Sequence, residues 1–116
     1  MVVDQLADHE VDRLFHALAD ATRRDIVVRV LDTEHSVSAL ARRYPMSVTA
    51  VQKHVAVLEA AGLVSRRRQG REQRVAGRME AIRRAQDLLD EYERVWRGRV
   101  DRMTELLAED DRGGTR

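Results

Sequence analysis

SVSALARRYPMSVTAVQKHVAVLEA, residues 36–60, is the stretch of this chain that decides its fold. Pro45 disfavours helical geometry at Tyr44, so a helix is expected to end there. Ser36 and Ser47 are each suited to cap a following helix, because a serine hydroxyl can accept a hydrogen bond from an otherwise unpaired backbone amide. The pattern therefore predicts two short helices joined by a tight turn, which is the arrangement of a helix-turn-helix.

The second of these helices has one apolar face, and a basic hairpin is expected after it. Gly62 is suited to the left-handed conformation in which many helices end. Beyond it, residues 63–69 and 72–76 have the character of short strands on either side of Gly70, the turn residue between them. We therefore expect a two-stranded β-hairpin, or wing, after the helix. The apolar face of the helix consists of Ala50, Val51, Val55 and Leu58.

Two further helices are expected before this region. Apolar residues recur at helical spacing near the N-terminus and predict a first helix from Asp4 or Asp8 to Ala19. Asp20 is a suitable N-cap for a second helix. Residues 32–35 then read as a loop. The buried face of the second helix is predicted to consist of Ile26, Val27, Val30 and Leu31.

A long helix is expected at the C-terminal end. Residues 79–107 read as one helix, and residues 109–116 as a disordered polar tail. The fold class predicted from the whole pattern is mainly α: a winged helix-turn-helix with a small two-stranded β-hairpin wing and a long C-terminal dimerisation helix. Residues 1–108 form one DNA-binding and dimerisation domain in this prediction. Apolar residues fall seven apart along the long helix at Ile82, Leu89, Trp96 and Met103.

Composition narrows the class of protein. The 116 residues fit a single domain, and the few aromatic residues (one Trp, two Tyr and one Phe) predict an aliphatic core of packed helices. Cysteine is absent, which excludes disulfides, thiolate metal sites and cysteine nucleophiles. The sequence lacks the pattern of a signal peptide and any apolar run of membrane-spanning length. We therefore expect a soluble, cytoplasmic protein.

The basic residues are concentrated in the middle of the chain. Residues 40–84 carry 11 basic and 3 acidic side chains, a net charge of +8. The flanking segments are acidic, with net charges of −4 for residues 1–39 and −3 for residues 85–116. A localised basic block of this kind indicates a polyanionic partner more clearly than the total charge of +1 does.

Four polar residues lie on the helix face opposite the apolar stripe and are candidates for contact with base edges. Glutamine can pair with adenine, lysine with guanine, and threonine can donate a hydrogen bond or touch a thymine methyl group. A plain solvated helix face is the alternative. His54 lies beside this face and is expected either to reach a phosphate or to pack against the first helices. The four candidates are Ser47, Thr49, Gln52 and Lys53.

Five arginines make the predicted wing strongly basic. Arginine at the tip of a hairpin can enter the minor groove or bind phosphates. The alternative is a charge run that only increases solubility. Because the run contains only one acidic residue, repulsion between its arginines is unfavourable unless a polyanion lies nearby. We therefore expect contact with DNA. These residues are Arg66, Arg67, Arg68, Arg71 and Arg74.

Several segments of the chain resemble the ArsR-type family of winged helix-turn-helix repressors, in the same order and at the family's spacing. The resemblance runs from about Leu14 to Leu107. It implies a homodimer packed through the first and last helices, which binds an inverted-repeat operator near a promoter and represses transcription. The segments with the densest similarity are residues 17–24, 36–41, 46–64 and 66–71.

The chain also departs from the family pattern. Ala21 stands where the family usually has proline, and residues 72–75 stand where the wing of the family is usually richer in aromatics. The thiol metal motif of the family would fall near Ser36 to Leu40, where this chain has no cysteine. No histidine lies beyond His54, so the alternative metal pairs of the last helix are missing too. The sequence therefore predicts neither a metal nor a cofactor.

The apolar stripes of the first and last helices predict a dimer interface. Such a stripe could instead belong to the core of a single chain, but a seven-residue apolar repeat on so long a helix favours a partner helix. Trp96 is the expected anchor of the interface. The predicted interface consists of Val11, Leu14, Phe15, Leu18, Ile82, Leu89, Tyr92, Trp96 and Met103.

The function predicted from these features is a DNA-binding transcriptional regulator, a repressor that binds an operator as a homodimer. Two alternatives stay open: a metal- or ligand-gated sensor of the same fold with an unidentified small-molecule effector, and a winged-helix module that docks a protein. Titration with zinc, or failure to select any DNA from a random pool, would distinguish them. No catalytic constellation or phosphate-binding glycine loop is recognisable, so an enzyme is not expected.

Overall fold

The computed structural model describes the backbone of residues 5–114 and the side chains of residues 8–112. Asp4, one of the two starts predicted for the first helix, lies outside the described residues, as do residues 115–116 of the predicted tail. The elements in chain order are α1 (Gln5–Leu18), α2 (Ala21–Asp32), β1 (His35–Ser36), α3 (Val37–Ala41), α4 (Val48–Ala60), β2 (Val64–Gln69), β3 (Glu72–Gly77) and α5 (Glu80–Gly114).

The helices begin at the capping residues that the sequence predicts. The Asp20 carboxylate accepts a hydrogen bond from the backbone amide of Arg23 and caps α2. The Ser36 hydroxyl caps α3, and the Ser47 hydroxyl caps α4 by accepting from the Ala50 amide at 3.1 Å. These bonds satisfy amides that would otherwise be unpaired at the helix starts. The caps therefore fix where the two helices of the helix-turn-helix begin.

The described residues form two compact units, and the first ends at Ala85. Its core is aliphatic and receives buried side chains from all five helices, β2 and β3. Burial of this apolar surface is the main force that holds the short helices together. The core consists of Leu14, Ala17, Ile26, Val27, Val30, Val37, Leu40, Val51, Val55, Leu58, Leu63, Val64, Val75 and Ala81.

The sheet has three antiparallel strands in the order β1-β3-β2. β2 and β3 form the predicted hairpin, and Gly70 has the positive φ, 62°, that a glycine at the first position of a two-residue hairpin loop adopts. The prediction of a loop over residues 32–35 was wrong at its end. His35 and the helix cap Ser36 form a two-residue strand that pairs with β3. A strand so short has no periodicity that a sequence pattern could reveal.

The second unit is the part of α5 from residue 86 onward. As predicted, the last described element is one long helix, but it continues through residues 109–114, which the sequence had assigned to a polar tail. The division into a domain of residues 1–108 and a disordered tail stays a prediction. The fold class is confirmed: a mainly helical winged helix-turn-helix with a long C-terminal helix, to whose wing β1 adds a third short strand.

Gly77 is expected to be intolerant of any side chain. A Cβ atom at this position would lie 2.8 Å from the Cα atom of Leu31, so either β3 or the end of α2 would have to move. We expect Gly77→Ala to lower the free energy of unfolding by about 1–3 kcal/mol, which is typical of overpacking. Gly98→Ala is the matched control, because its nearest neighbour is the flexible end of Arg102 at 3.4 Å. In urea unfolding at fixed protein concentration, the control should be neutral or stabilising; equal effects of the two variants would contradict the prediction.

Candidate nucleic-acid interface

The exposed face of α4 carries the polar residues that the sequence singled out. Thr49, Gln52 and Lys53 are exposed, whereas Val51 and Val55 on the opposite face are fully buried. Ser47 is exposed as well, and its oxygen accepts the capping bond from α4 while its hydroxyl hydrogen stays available to donate. The first two turns of α4 therefore present hydrogen-bonding groups to solvent on a helix whose other face is anchored in the core.

His54 points away from these residues. Its ring nitrogen Nδ1 lies 3.4 Å from Nη1 of Arg23 on α2, and the residue is half-buried. Arg23 in turn donates to the backbone oxygens of Ala17, at 2.7 Å, and His16, at 3.0 Å, at the end of α1. The hydrogen bond from the Arg23 amide also lowers the pKa of Asp20 below its ordinary value. His54 therefore lies in the junction of α1, α2 and α4, and its contact with a phosphate stays a prediction.

The turn between α3 and α4 is held by a polar network. The Tyr44 hydroxyl donates to the Asp25 carboxylate on α2 at 2.5 Å, and Nε of Arg29 donates to the same oxygen at 2.8 Å. The bond from Tyr44, followed by that from Arg29, lowers the pKa of Asp25, whereas burial and the bond to Asp25 raise the pKa of Tyr44 to about 12. The network ties the turn before α4 to α2.

We expect Tyr44→Phe to lower the free energy of unfolding by about 1 kcal/mol at neutral pH, the usual contribution of one hydrogen bond of this kind. Asp25, with its lowered pKa, contributes its full stabilisation above its ordinary pKa of 3.8. This contribution is lost as the pH falls from 3.8 through the lowered pKa of the folded state. Tyr44, with its raised pKa, stabilises the fold fully below its ordinary pKa of 10.0, and this is lost as the pH rises through about 12.

The measurement is urea unfolding as a function of pH. In Tyr44→Phe, the free energy of unfolding should fall less between pH 10.0 and about 12 than in the unmodified chain. It should also fall less steeply as the pH drops below 3.8. Tyr92→Phe is the control, because Tyr92 is 61% exposed and removal of its hydroxyl should change neither limb. Identical pH profiles for Tyr44→Phe and the unmodified chain would contradict the role of the network.

The register of its strands gives the wing two faces: an outer face with Arg67 and Arg74, and an inner face with Arg66 and the buried Val75. Arg67 lies directly opposite Arg74, and two like charges in this position repel each other. Glu34 relieves the repulsion, since its carboxylate accepts from Arg67 at 2.8 Å and from Arg74 at 3.2 Å. Burial raises the pKa of Glu34, but the bonds from the two arginines outweigh it, and the net pKa is lowered. The outer face of the wing is therefore largely neutralised within the chain.

The inner face of the wing is neutralised only near its base. Arg66 binds the Glu59 carboxylate of α4 through two nitrogens, at 3.1 and 2.8 Å. Farther along the hairpin, Arg68 and Arg71 are exposed, and among residues 8–112 neither has a carboxylate partner. Of the five arginines predicted to bind DNA, these two keep their full charge available to an external anion.

A cleft separates the start of α4 from the tip of the wing. Gln52 lies on one side of it, and Arg68 and Arg71 lie on the other. The cleft brings predicted residues from two separate elements to one concave surface. It is also lined by residues that the sequence reasoning missed, namely Val37, Ser38, Val48, Glu72 and Gln73.

The missed partners of the arginines had a signal in the sequence. A two-residue turn at Gly70 fixes the hairpin register, and that register places Arg67 opposite Arg74. A carboxylate between them could therefore have been expected. Its identity could not, because Glu34 is 33 residues from Arg67 in the sequence and reaches it only through the fold.

The predicted dimer residues fall into two groups in the structure. Leu14 is buried in the core of the chain itself, and Leu18 and Ile82 pack against that core. Val11 is half-buried and Phe15 is partly exposed. The remaining residues are more than half exposed in the single chain: Leu89, Tyr92, Trp96 and Met103.

The exposed apolar face of α5 is wider than the predicted seam. It also includes Val95, Val100, Leu106 and Leu107. The guanidinium of Arg99 lies 5.8 Å from the ring centre of Trp96. An apolar face of this length is unusual on a helix that water surrounds on all sides.

Two other classes of site are absent from the described residues. Among the described side chains, no group of three or more histidine, aspartate or glutamate residues is arranged to hold a metal ion. Within the same part of the chain, no helix is both long and apolar enough to cross a membrane.

Known proteins that resemble this chain are transcriptional regulators. Residues 18–67 match a model described as a helix-turn-helix domain. The HTH-type transcriptional regulator Rv2034 of Mycobacterium tuberculosis is 48% identical over 59 residues. The match covers 51% of this chain and 55% of that protein, so the chain spans about half the length of this relative.

Two solved structures are similar over most of the chain. The crystal structure of an ArsR family transcriptional regulator has a TM-score of 0.75 and 30% identity, and the match covers 78% of this chain and 93% of that one. The second is the homodimeric winged helix-turn-helix DNA-binding domain of a possible ArsR-family regulator from Mycobacterium bovis. It has a TM-score of 0.62 and 28% identity, with 81% of this chain and 91% of that one covered.

Proposed function

This chain belongs to the ArsR family of transcriptional regulators, and on that premise we propose that it binds an inverted-repeat DNA operator as a homodimer and represses transcription. The observation that carries the proposal is the cleft between α4 and the wing. Gln52 lies on one side of this cleft, and Arg68 and Arg71, which lack a carboxylate partner among the described residues, lie on the other.

The two sides of the cleft have different roles in this proposal: α4 contacts bases, and the wing contacts the DNA backbone or the minor groove. The first turns of α4 enter the major groove, where Ser47, Thr49, Gln52 and Lys53 contact base edges. Arg68 and Arg71 bind the phosphate backbone or enter the neighbouring minor groove, where positive charge is attracted. Arg66, Arg67 and Arg74 contribute less, because carboxylates of the chain already hold them.

The exposed apolar face of α5 supports the homodimer. A second copy of the chain would cover Leu89, Tyr92, Trp96 and Met103, which a single chain leaves exposed. The relative from Mycobacterium bovis is described as homodimeric. A two-fold dimer would place its two copies of α4 about one turn of DNA apart, ~34–36 Å. We propose that this dimer acts in the cytoplasm without a metal, a cofactor or an enzymatic activity.

The experiment is selection from a random pool of duplex DNA with the purified chain at about 0.1 M salt, followed by footprinting. We expect enriched sequences with two inverted half-sites whose centres are about 10–10.5 base pairs apart. In transcription assays with such a site across a promoter, the chain should reduce the amount of transcript. A pool that stays random after selection would argue against DNA binding, and an increase in transcript would argue against repression.

A further inference from the structure

Val48 is an apolar residue of α4 that the chain itself covers only in part. It is the first residue of α4 and is 47% exposed, whereas Val51 and Val55 on the same helix are fully buried. Among the described residues, it belongs neither to the hydrophobic core nor to the apolar face of α5. Val48 stands seven residues before Val55, at the N-terminal end of the apolar stripe of α4, so packing within the chain covers part of its side chain and leaves the remainder exposed.

The surroundings of Val48 are polar and basic. It lines the cleft between α4 and the wing together with Gln52, which follows it by one helical turn on the same side of α4. Arg68 and Arg71 lie across the cleft. An exposed valine beside two available arginines faces the surface on which, in our proposal, DNA is bound.

We propose that Val48 contacts the methyl group of a thymine in the major groove, next to the base pair that Gln52 reads. The inference rests on the proposed DNA binding and adds a residue that determines its specificity. Valine has no hydrogen-bonding group in its side chain, so it can recognise thymine only through the C5-methyl group, which the other three bases lack. Its branched side chain is also stiff about χ1, so its two methyl groups form a defined surface.

The spacing of the two side chains suits neighbouring base pairs. Residues four apart on a helix have Cβ atoms about 5–6 Å apart, and successive base pairs are about 3.4 Å apart along the duplex. Val48 and Gln52 can therefore reach adjacent or next-adjacent pairs. A glutamine that pairs with adenine beside a valine that contacts a thymine methyl group would select a short A·T step in each half-site.

The test removes single methyl groups from the DNA. Starting from the operator obtained by selection, each thymine is replaced in turn by uracil, which pairs identically but lacks the C5-methyl group. For the unmodified chain, we expect one or two positions in each half-site to lose affinity by about fourfold, the effect of leaving one methyl group uncovered. Val48→Ala should bind the parent operator about as weakly and show no further loss at those positions.

Two variants control for indirect effects. Val28→Ala makes the same change at a 66% exposed valine on α2, outside the cleft, and should keep both the affinity and the thymine sensitivity. Val48→Thr keeps one methyl group on Cβ and should keep part of the sensitivity. Circular dichroism establishes that each variant is folded, and replacing an exposed helical valine by alanine favours the helix.

The outcomes separate this inference from the proposal on which it rests. If the chain selects an operator but no thymine is sensitive to loss of its methyl group, Val48 does not read thymine. The same follows if Val48→Ala shows the full thymine sensitivity of the unmodified chain. If selection yields no operator at all, DNA binding itself is wrong, and the role of Val48 falls with it.

Discussion

Replacing Arg68 and Arg71 together with alanine is expected to weaken binding to all DNA sequences by about 10–100-fold near 0.1 M salt. Among residues 8–112, these two wing arginines have no carboxylate partner, so their charge is available to phosphates. Each lost phosphate contact reduces the number of counterions released on binding. The slope of log affinity against log salt should therefore become shallower by about 1.8 for the double variant.

Arg67→Ala is the matched control for this prediction. Arg67 belongs to the same hairpin, but the Glu34 carboxylate accepts its hydrogen bond at 2.8 Å. Its removal should change the salt slope by less than half as much as removal of either available arginine. The measurement is a salt titration of operator binding and of random-sequence DNA for all variants. A double variant with an unchanged slope would place the phosphate contacts elsewhere.

Trp96→Ala is expected to weaken the proposed homodimer by about 30-fold or more, because large aromatic residues at the centre of an interface often contribute 2 kcal/mol or more. The tryptophan is 60% exposed in the single chain and lies among the other apolar residues of α5. Truncation would also remove its contact with the Arg99 guanidinium. Since only a dimer can occupy both half-sites at once, operator affinity should fall as well and depend more strongly on protein concentration.

Arg94→Ala separates loss of the interface from a general effect on α5. Two residues from Trp96, Arg94 lies about 200° around the helix, on the side away from the apolar face. Analytical ultracentrifugation over a range of concentrations should give the same dimer for Arg94→Ala as for the unmodified chain. A Trp96→Ala variant that stays fully dimeric at nanomolar concentration would remove α5 as the centre of the interface.

The elements that the sequence predicted well are those determined by near neighbours. Asp20, Ser36 and Ser47 were recognised as caps because each binds an amide three residues ahead, and the structure contains all three bonds. Gly62 was predicted to end α4 for a similar local reason, and its φ is 75°. Local hydrogen bonding and backbone preference are properties that a short stretch of sequence states directly.

The features that the sequence did not reveal depend on contacts between distant residues. The sequence showed five arginines in one basic wing. It did not show that Glu34 and Glu59 form ion pairs with three of them, Arg66, Arg67 and Arg74. Periodicity likewise identified apolar faces without showing what covers them. Leu14 was predicted at a dimer interface, and the structure buries it within the chain.

The pairing of β1 with β3 limits how this wing can vary among related proteins. Ser36 lies opposite Arg74 and His35 opposite Val75, so β3 is in register with the residue that caps α3. Sliding β3 by one position would turn Val75 toward solvent and Arg74 toward the interior. Insertions and deletions are therefore tolerable only at the hairpin tip, between Gln69 and Glu72. Evolution could lengthen the reach of this protein along the duplex there, while the base of the hairpin must keep its length.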